Sequence, residues 1–319
     1  MHKIIINIQF QGIVTQMKMQ IIIGILSIFI SVHSFSSPYS KISDISHFII
    51  DPNFRECIEE IGAENEIRNV KKIDCRHRNI KSIGGIEYFK SLNQLNVGHN
   101  NIESLPDLNN NSSLIYVYVN NNKLRHIDFS GLHSLRWLKA YDNLIESVKL
   151  NNRSLKSLDL SRNKLSQLDL SDVRALGALE ASSNNLKIIK FSIMNKLRYL
   201  KLDENEFTEL DTSNLLKLED LNLENNQITS LKLTDTPRIT KINASKNQLN
   251  NFIFSNCRQL TTLNIRHNSS LNNISGLGLC ERIEEVKAEG NPIDCELALL
   301  IVNLAEKKHK TVFKTKHQC

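Results

Sequence analysis

Several absences frame this 319-residue sequence. It has no HExxH, no GxSxG, no phosphate-cradling glycine loop and no CxxC pair, so the common metallohydrolase, serine hydrolase, nucleotide-binding and redox signatures are missing. Without positioned acid, base or nucleophile the expected class is non-enzymatic, with no cofactor. The apolar run from Ile21 to Val32 falls short of the roughly 20 residues a transmembrane helix needs. Charge of one sign is also scarce: 40 Lys and Arg face 34 Asp and Glu, for a formal +6. Basic and acidic residues are interspersed along the chain, so the sequence offers no polyanion-binding footprint of the sort nucleic acid demands, and no nucleic-acid partner is expected. Only one Trp and six Tyr are present, which makes their placement informative.

What fills the chain is repetition. LKSLDLSRNKL, Leu155 to Leu165, recurs as LNQLNVGHNNI from Leu92, LIYVYVNNNKL from Leu114 and LRWLKAYDNLI from Leu135. It continues as LGALEASSNNL from Leu176, LRYLKLDENEF from Leu197, LEDLNLENNQI from Leu218 and ITKINASKNQL from Ile239. An asparagine holds one phase throughout, at Asn100, Asn122, Asn143, Asn163, Asn184, Asn205, Asn226 and Asn247. The pattern resembles the leucine-rich repeat, L-x-x-L-x-L-x-x-N-x-L. The resemblance implies a curved, right-handed horseshoe solenoid with a parallel β-sheet on its concave face. A buried asparagine ladder would satisfy backbone groups at each turn.

The expected organisation runs as follows. Residues 1–34 form a signal peptide with a possible unused upstream start, because Lys18 precedes a short apolar core and Val32-His33-Ser34 suits cleavage. Residues 35–69 form a lead-in and N-terminal cap, with Ser36 to Ile50 extended and poorly ordered. Residues 70–294 hold about eleven repeats, and 295–319 a C-terminal cap. Five and seven residues after the ladder asparagine lie apolar pairs such as Leu168 and Leu170, or Phe252 and Phe254, a strand's period of two. Too few residues remain for a helix, so the convex side is expected to be extended or 3₁₀.

Six cysteines allow fifteen pairings. Cys57 in the cap and Cys75 in the atypical first repeat, where Arg78 replaces the asparagine, form one expected disulfide. Cys257 and Cys280 share one phase of consecutive repeats, about 5 Å apart when stacked, and either pair or stay as buried thiols. Asn291-Pro292 followed by Cys295 and the amphipathic run Glu296 to Lys307 resembles a leucine-rich-repeat C-terminal cap. That likeness implies pairing of Cys295 with Cys319.

On the sheet, side chains alternate, so the third, fifth and seventh residues of each repeat face outward. Tyr116 and Tyr118, then Trp137, Lys139 and Tyr141, with Tyr199 three repeats on, therefore form the candidate partner-binding site. Exposed aromatics with polar handles suit protein anchoring; alternatively they are strand formers stacking across neighbours. Farther along, Asp203, Glu204, Glu219, Asp220 and Glu224 make an acidic stretch, expected to be solvated rather than a Ca²⁺ site. His77, His99 and His267 share a phase but are expected to lie too far apart for a common metal. Sequons at Asn110, Asn111, Asn152, Asn243 and Asn273 are candidate glycosylation sites. The chain resembles extracellular leucine-rich-repeat proteins of animals, including insect haemolymph immune-recognition proteins and receptor ectodomains. The likeness implies secretion and recognition of an extracellular protein partner. An adhesion or signalling co-receptor ectodomain and a structural matrix component stand as alternatives. Mosquito complement-type members carry a coiled coil after the repeats, and no heptads follow the cap here.

Overall fold

The computed structural model describes residues 39–213, 215–233 and 236–306. The described residues from Lys41 onward belong to one compact unit. Its spine is an eleven-stranded parallel sheet in which each strand pairs with those of the repeats before and after it, from Lys72–Asp74 to Glu285–Lys287. Strands are three residues long, and the period-two pattern decides their faces. In Ser157–Asp159 the central Leu158 is buried while Ser157 and Asp159 are half-buried. Register is preserved from strand to strand: Val117 opposes Leu138, Leu138 opposes Leu158, and Leu158 opposes Leu179. A one-residue slip would turn every such leucine outward, which the apolar core forbids.

After each strand the chain turns sharply at the residue preceding the ladder position, which is Arg78 in the first repeat and asparagine thereafter. His77, His99, Asn121, Asp142, Arg162, Ser183, Glu204, Asn225, Lys246 and His267 all adopt left-handed backbone there, with φ between 51 and 57°. That conformation is costly for a residue with a Cβ and persists only when its surroundings enforce it. The asparagine does so. Asn122 Nδ2 donates to the carbonyls of Val97 in the preceding repeat (3.0 Å) and Val119 in its own (3.1 Å), while its Oδ1 accepts from Ile102 N (2.9 Å). The same arrangement recurs down to Asn291, whose Nδ2 donates to Ile265 O and Ala288 O.

On the convex side the apolar pairs form short parallel strands: His126–Asp128 with Ser147–Lys149, Gln167–Leu170 with Ile188–Phe191, and Ser230–Leu233 with Asn251–Phe254. Elsewhere 3₁₀ turns serve, as at Ile86–Tyr88 and Leu277–Leu279. Disulfides join Cys57 to Cys75 and Cys257 to Cys280. Cys319, the expected partner of Cys295, lies outside the described residues, as does the signal segment 1–34.

The N-terminal cap begins earlier than the sequence suggests. Ser36 to Ile50 is not an extended lead-in over its described part: helix α1 spans Ile42–Ile45 and a 3₁₀ turn follows at Ser46–Phe48. Ile42, Ile45 and Ile49 are fully buried, their i, i+3, i+7 spacing placing them on one side. Asp51 then caps α2, Pro52–Glu59, accepting from Asn53 N and Phe54 N at 3.0 Å each. The other carboxylate oxygen accepts from Lys81 N (2.7 Å) and Ser82 N (3.0 Å), tying cap to repeats. Burial of this carboxyl raises its pKa, but the four backbone donors outweigh that and leave it below its ordinary value. At the other end Asp294 Oδ1 accepts from Leu297 N, opening helix α3, Cys295–Glu306, which buries Leu297 and Ile301.

Candidate functional site on the concave face

Strand register decides which outward residues meet. Tyr116 lies directly opposite Trp137, and Tyr118 opposite Lys139. The Tyr116 and Trp137 rings stack at a centroid distance of 4.5 Å and an interplanar angle of 9°. Tyr118 packs beside Tyr116 at 6.4 Å. Burial, and secondarily Tyr116, raises the pKa of the Tyr118 phenol, so it stays neutral and keeps its donor. Four of the expected site residues thus form one contiguous cluster, Tyr116, Tyr118, Trp137 and Lys139. Tyr141 stands on the last outward position of the Trp137 strand's repeat, half-buried.

Tyr199 does not join them. Following the register from Trp137, the opposing residues are Ser157, Ala178 and only then Tyr199. Two strands of small side chains separate it from the cluster, a step of roughly 14 Å at strand spacing. It is also the most open of these rings, 45% exposed.

Cations accompany the rings. Lys139 Nζ sits 5.9 Å from the Tyr118 centroid, Lys156 Nζ 5.7 Å from Trp137, the Arg162 guanidinium 5.8 Å from Tyr141 and that of Arg198 5.6 Å from Tyr199. At such distances each contact is worth about 0.5–1 kcal/mol when exposed. Sequence reasoning named only Lys139 among these. Lys156 and Arg162 come from the repeat after their rings, and Arg198 directly precedes Tyr199; the signals that would have found them were a cation one repeat on or next in sequence to each ring.

Beyond the cluster the face turns polar. Asp159 and Glu180 oppose each other on adjacent strands; burial, partly offset by hydrogen bonds from Ser161, raises the Asp159 pKa, and Glu180 adds to it. Glu180 pairs with Lys201 at 3.1 Å. The acidic stretch is extensively partnered. Asp203 accepts from Ser182 Oγ and Asn222 Nδ2, Glu219 pairs with Arg198, and Glu224 pairs with Lys246, which lowers its pKa. Among the described residues no group of three or more His, Cys, Asp or Glu could hold a metal ion.

Two expectations need correction. His77 and His99 are not far apart: they occupy adjacent repeats and stack at 4.2 Å, because equivalent positions of consecutive repeats are strand neighbours. The sequons at Asn111 and Asn152 are closed to glycosylation in the folded chain. Both side chains are fully buried, Asn111 donating to Ile86 O and Phe89 O, Asn152 to Phe129 O and Leu132 O. Asn110 and Asn273 are exposed, and Asn243 is half-buried with its Nδ2 on Glu224.

No protein-family model matches the sequence, and no curated protein matches it significantly. Solved structures do. The functional domain of InlJ from Listeria monocytogenes, which includes a cysteine ladder, is 26% identical, with a TM-score of 0.64 over 80% of this chain. The chain spans 62% of that domain. The leucine-rich repeat domain of APL1B is 20% identical at TM-score 0.63, covering 97% of this chain and 95% of that one. A structure of the LRIM1/APL1C complex matches at 22% identity and TM-score 0.61, over 70% of this chain and 49% of the other. The fold is therefore a leucine-rich-repeat solenoid, a scaffold class typically used for protein interaction rather than catalysis. Among the described residues no helix is long and apolar enough to cross a membrane.

Proposed function

We propose that this chain is a secreted, non-enzymatic recognition protein that engages an extracellular protein partner through the Tyr116, Tyr118, Trp137, Lys139 and Tyr141 cluster. The observation that carries the reading is the Tyr116–Trp137 stack, held by strand register and flanked by cations. Rings fixed before binding lose little entropy when a partner covers them, and Trp and Tyr dominate the energetics of such contacts. The surrounding lysines and arginine favour an acidic, partly apolar surface on the partner. The acidic stretch farther along favours a basic one. Tyr199 would be a second, separate contact. Two disulfides support an oxidising compartment. LRIM1 is seen in complex with APL1C, which supports protein pairing on this scaffold, and a role in innate immunity rests on that likeness.

The test is a capture experiment from extracellular fluid with the wild type and a Tyr116→Ala, Trp137→Ala, Tyr141→Ala variant. Loss of one discrete partner, with affinity down by at least about 30-fold, is expected for anchors of this type. Undiminished capture overturns the assignment. Weak retention of many matrix components by both proteins points instead to a structural role.

A further inference from the structure

A second surface lies along the edge where each strand begins. Each repeat enters its strand through a tight turn, closed by bonds such as Leu155 N to Asn152 O (3.0 Å), Leu218 N to Leu215 O (3.0 Å) and Leu260 N to Cys257 O (2.9 Å). The two residues inside this turn face solvent. In six consecutive repeats one of them is an exposed cation: Arg153, Arg174, Lys196, Lys217, Arg238 and Arg258. None forms a salt bridge with a described residue. Their spacing along the chain, about one repeat, hides them among acidic neighbours. Stacking converts that period into a file of charges about 5 Å apart, some 25 Å long.

Next to the file, the second residue of each repeat is tied to its counterpart by backbone bonds, Arg136 N to Ile115 O and Lys156 N to Arg136 O among them. Arg136 thereby flanks the N-terminal end of the file, while Lys156 on the same column reaches instead over Trp137. Glu219 on this column is already paired with Arg198, and the acidic residues Glu281 and Glu284 appear only beyond Arg258. At the N-terminal end of the file is a recess of about 390 Å³. It is lined by Ser113, Ser134 and Ser154 together with Asn93, His133, Arg136 and Ile115.

We propose that this edge binds a linear sulfated polysaccharide, with sulfates along the cation file and one sugar unit in the serine-lined recess. The file stays within the two residues of each turn, a narrow strip that suits a thread of negative charge and not the plane of a membrane surface. Its turns contain no Tyr, Phe or Trp, the side chains on which single-stranded nucleic acid stacks. A recess lined by three serines, an asparagine, a histidine and an arginine beside one isoleucine is suited to a polyol bearing anionic groups. The opposite edge differs, since two of its cations are occupied, Arg162 by Asp142 and Lys246 by Glu224.

This site is independent of the concave cluster, and its test uses different side chains. Heparin binding is measured against salt concentration for the wild type, for an edge variant (Arg153→Gln, Arg174→Gln, Lys196→Gln, Arg238→Gln, Arg258→Gln) and for an equal-charge control (Lys81→Gln, Lys123→Gln, Lys164→Gln, Lys190→Gln, Lys232→Gln). All ten positions are exposed, and thermal melts check that folding is intact. The edge variant is expected to bind heparin at least about 30-fold more weakly at physiological salt and with a shallower salt slope, as release of counterions from lost contacts requires. The control is expected to stay within about threefold of the wild type, since non-contacting charges act only through a screened field. Equal losses in both variants, reporting net charge alone, overturn the proposal. So does tighter binding of a charge-matched single-stranded oligonucleotide or of phosphatidylserine vesicles than of heparin, or undiminished binding of desulfated heparin.

Discussion

The turn that leaves each strand and the turn that enters it face different problems, and the chain solves them differently. On leaving, the backbone adopts a left-handed residue and buries several polar groups at once. One side chain meets that demand in repeat after repeat, an asparagine bonded to two repeats. On entering, the turn closes its own backbone bond, so the inward side chain must fill space, and only where it is Asn111 or Asn152 does it also donate to backbone carbonyls. There the chain uses Phe89, Asn111, Leu132, Asn152, Val173, Met194 and finally the Cys257–Cys280 disulfide. Uniform residues mark an unavoidable polar obligation; varied residues mark a volume that several chemistries can occupy.

Three substitutions probe this contrast. The largest effect is expected on the leaving side. Asn184→Ala leaves Leu165 N without its partner and removes one of two amide donors from each of the Leu160 and Ala181 carbonyls, which keep Asn163 Nδ2 and Asn205 Nδ2, at a cost of about 3–5 kcal/mol for one orphaned buried donor and two further lost bonds. Denaturant unfolding would measure it; a loss below about 1 kcal/mol would mean that water replaces the amide and the ladder is decorative. Next comes the entering side. Replacing Cys257 and Cys280 together by Ala is expected to cost about 2–4 kcal/mol, the usual range for a disulfide closing a loop of this order. A cost near zero would show that this position tolerates two thiol-sized hydrophobes as readily as Leu132 or Val173.

The smallest effect concerns Asp51, which carries the leaving-side logic into the cap by accepting from Lys81 N and Ser82 N. Asp51→Ala is expected to cost about 1–2 kcal/mol at neutral pH. Since the folded carboxyl titrates below its ordinary value despite burial, the unfolded state binds the proton more tightly. Its contribution is therefore complete above the ordinary carboxylate range and fades as pH falls through the lowered folded value. Melts of wild type and variant should converge on acidification; a gap that widens instead would refute the capping role.

Much of this was legible in the residues. A period of 20 to 22 residues, with leucines and asparagine in phase, dictates stacked strands, because no other arrangement keeps all of them inward. The pairing of Cys257 with Cys280 was legible for the same reason, since equal phase means adjacency. The α1 segment was not, because Ile42, Ile45 and Ile49 make a single turn too short to impose a pattern on its neighbours. Sequons at Asn111 and Asn152 misled because Asn-x-Ser reports a local motif and not burial; their shared phase with Leu132 and Val173 was the overlooked clue. The cations over Trp137 and Tyr141 depend on which columns meet across repeats. So does the basic edge, where residues diluted along the chain are concentrated in space.

The in-register pairing of the strands has one more consequence. Any two groups in the same column, such as Trp137 and Tyr199, are separated by a whole number of strand steps of about 4.8 Å. In a quasi-one-dimensional stack, gaining or losing one repeat between them changes that interval by one unit while each keeps its own immediate surroundings. The spacing of contacts along this surface is thus countable, and its length can be edited in increments without redesigning any contact.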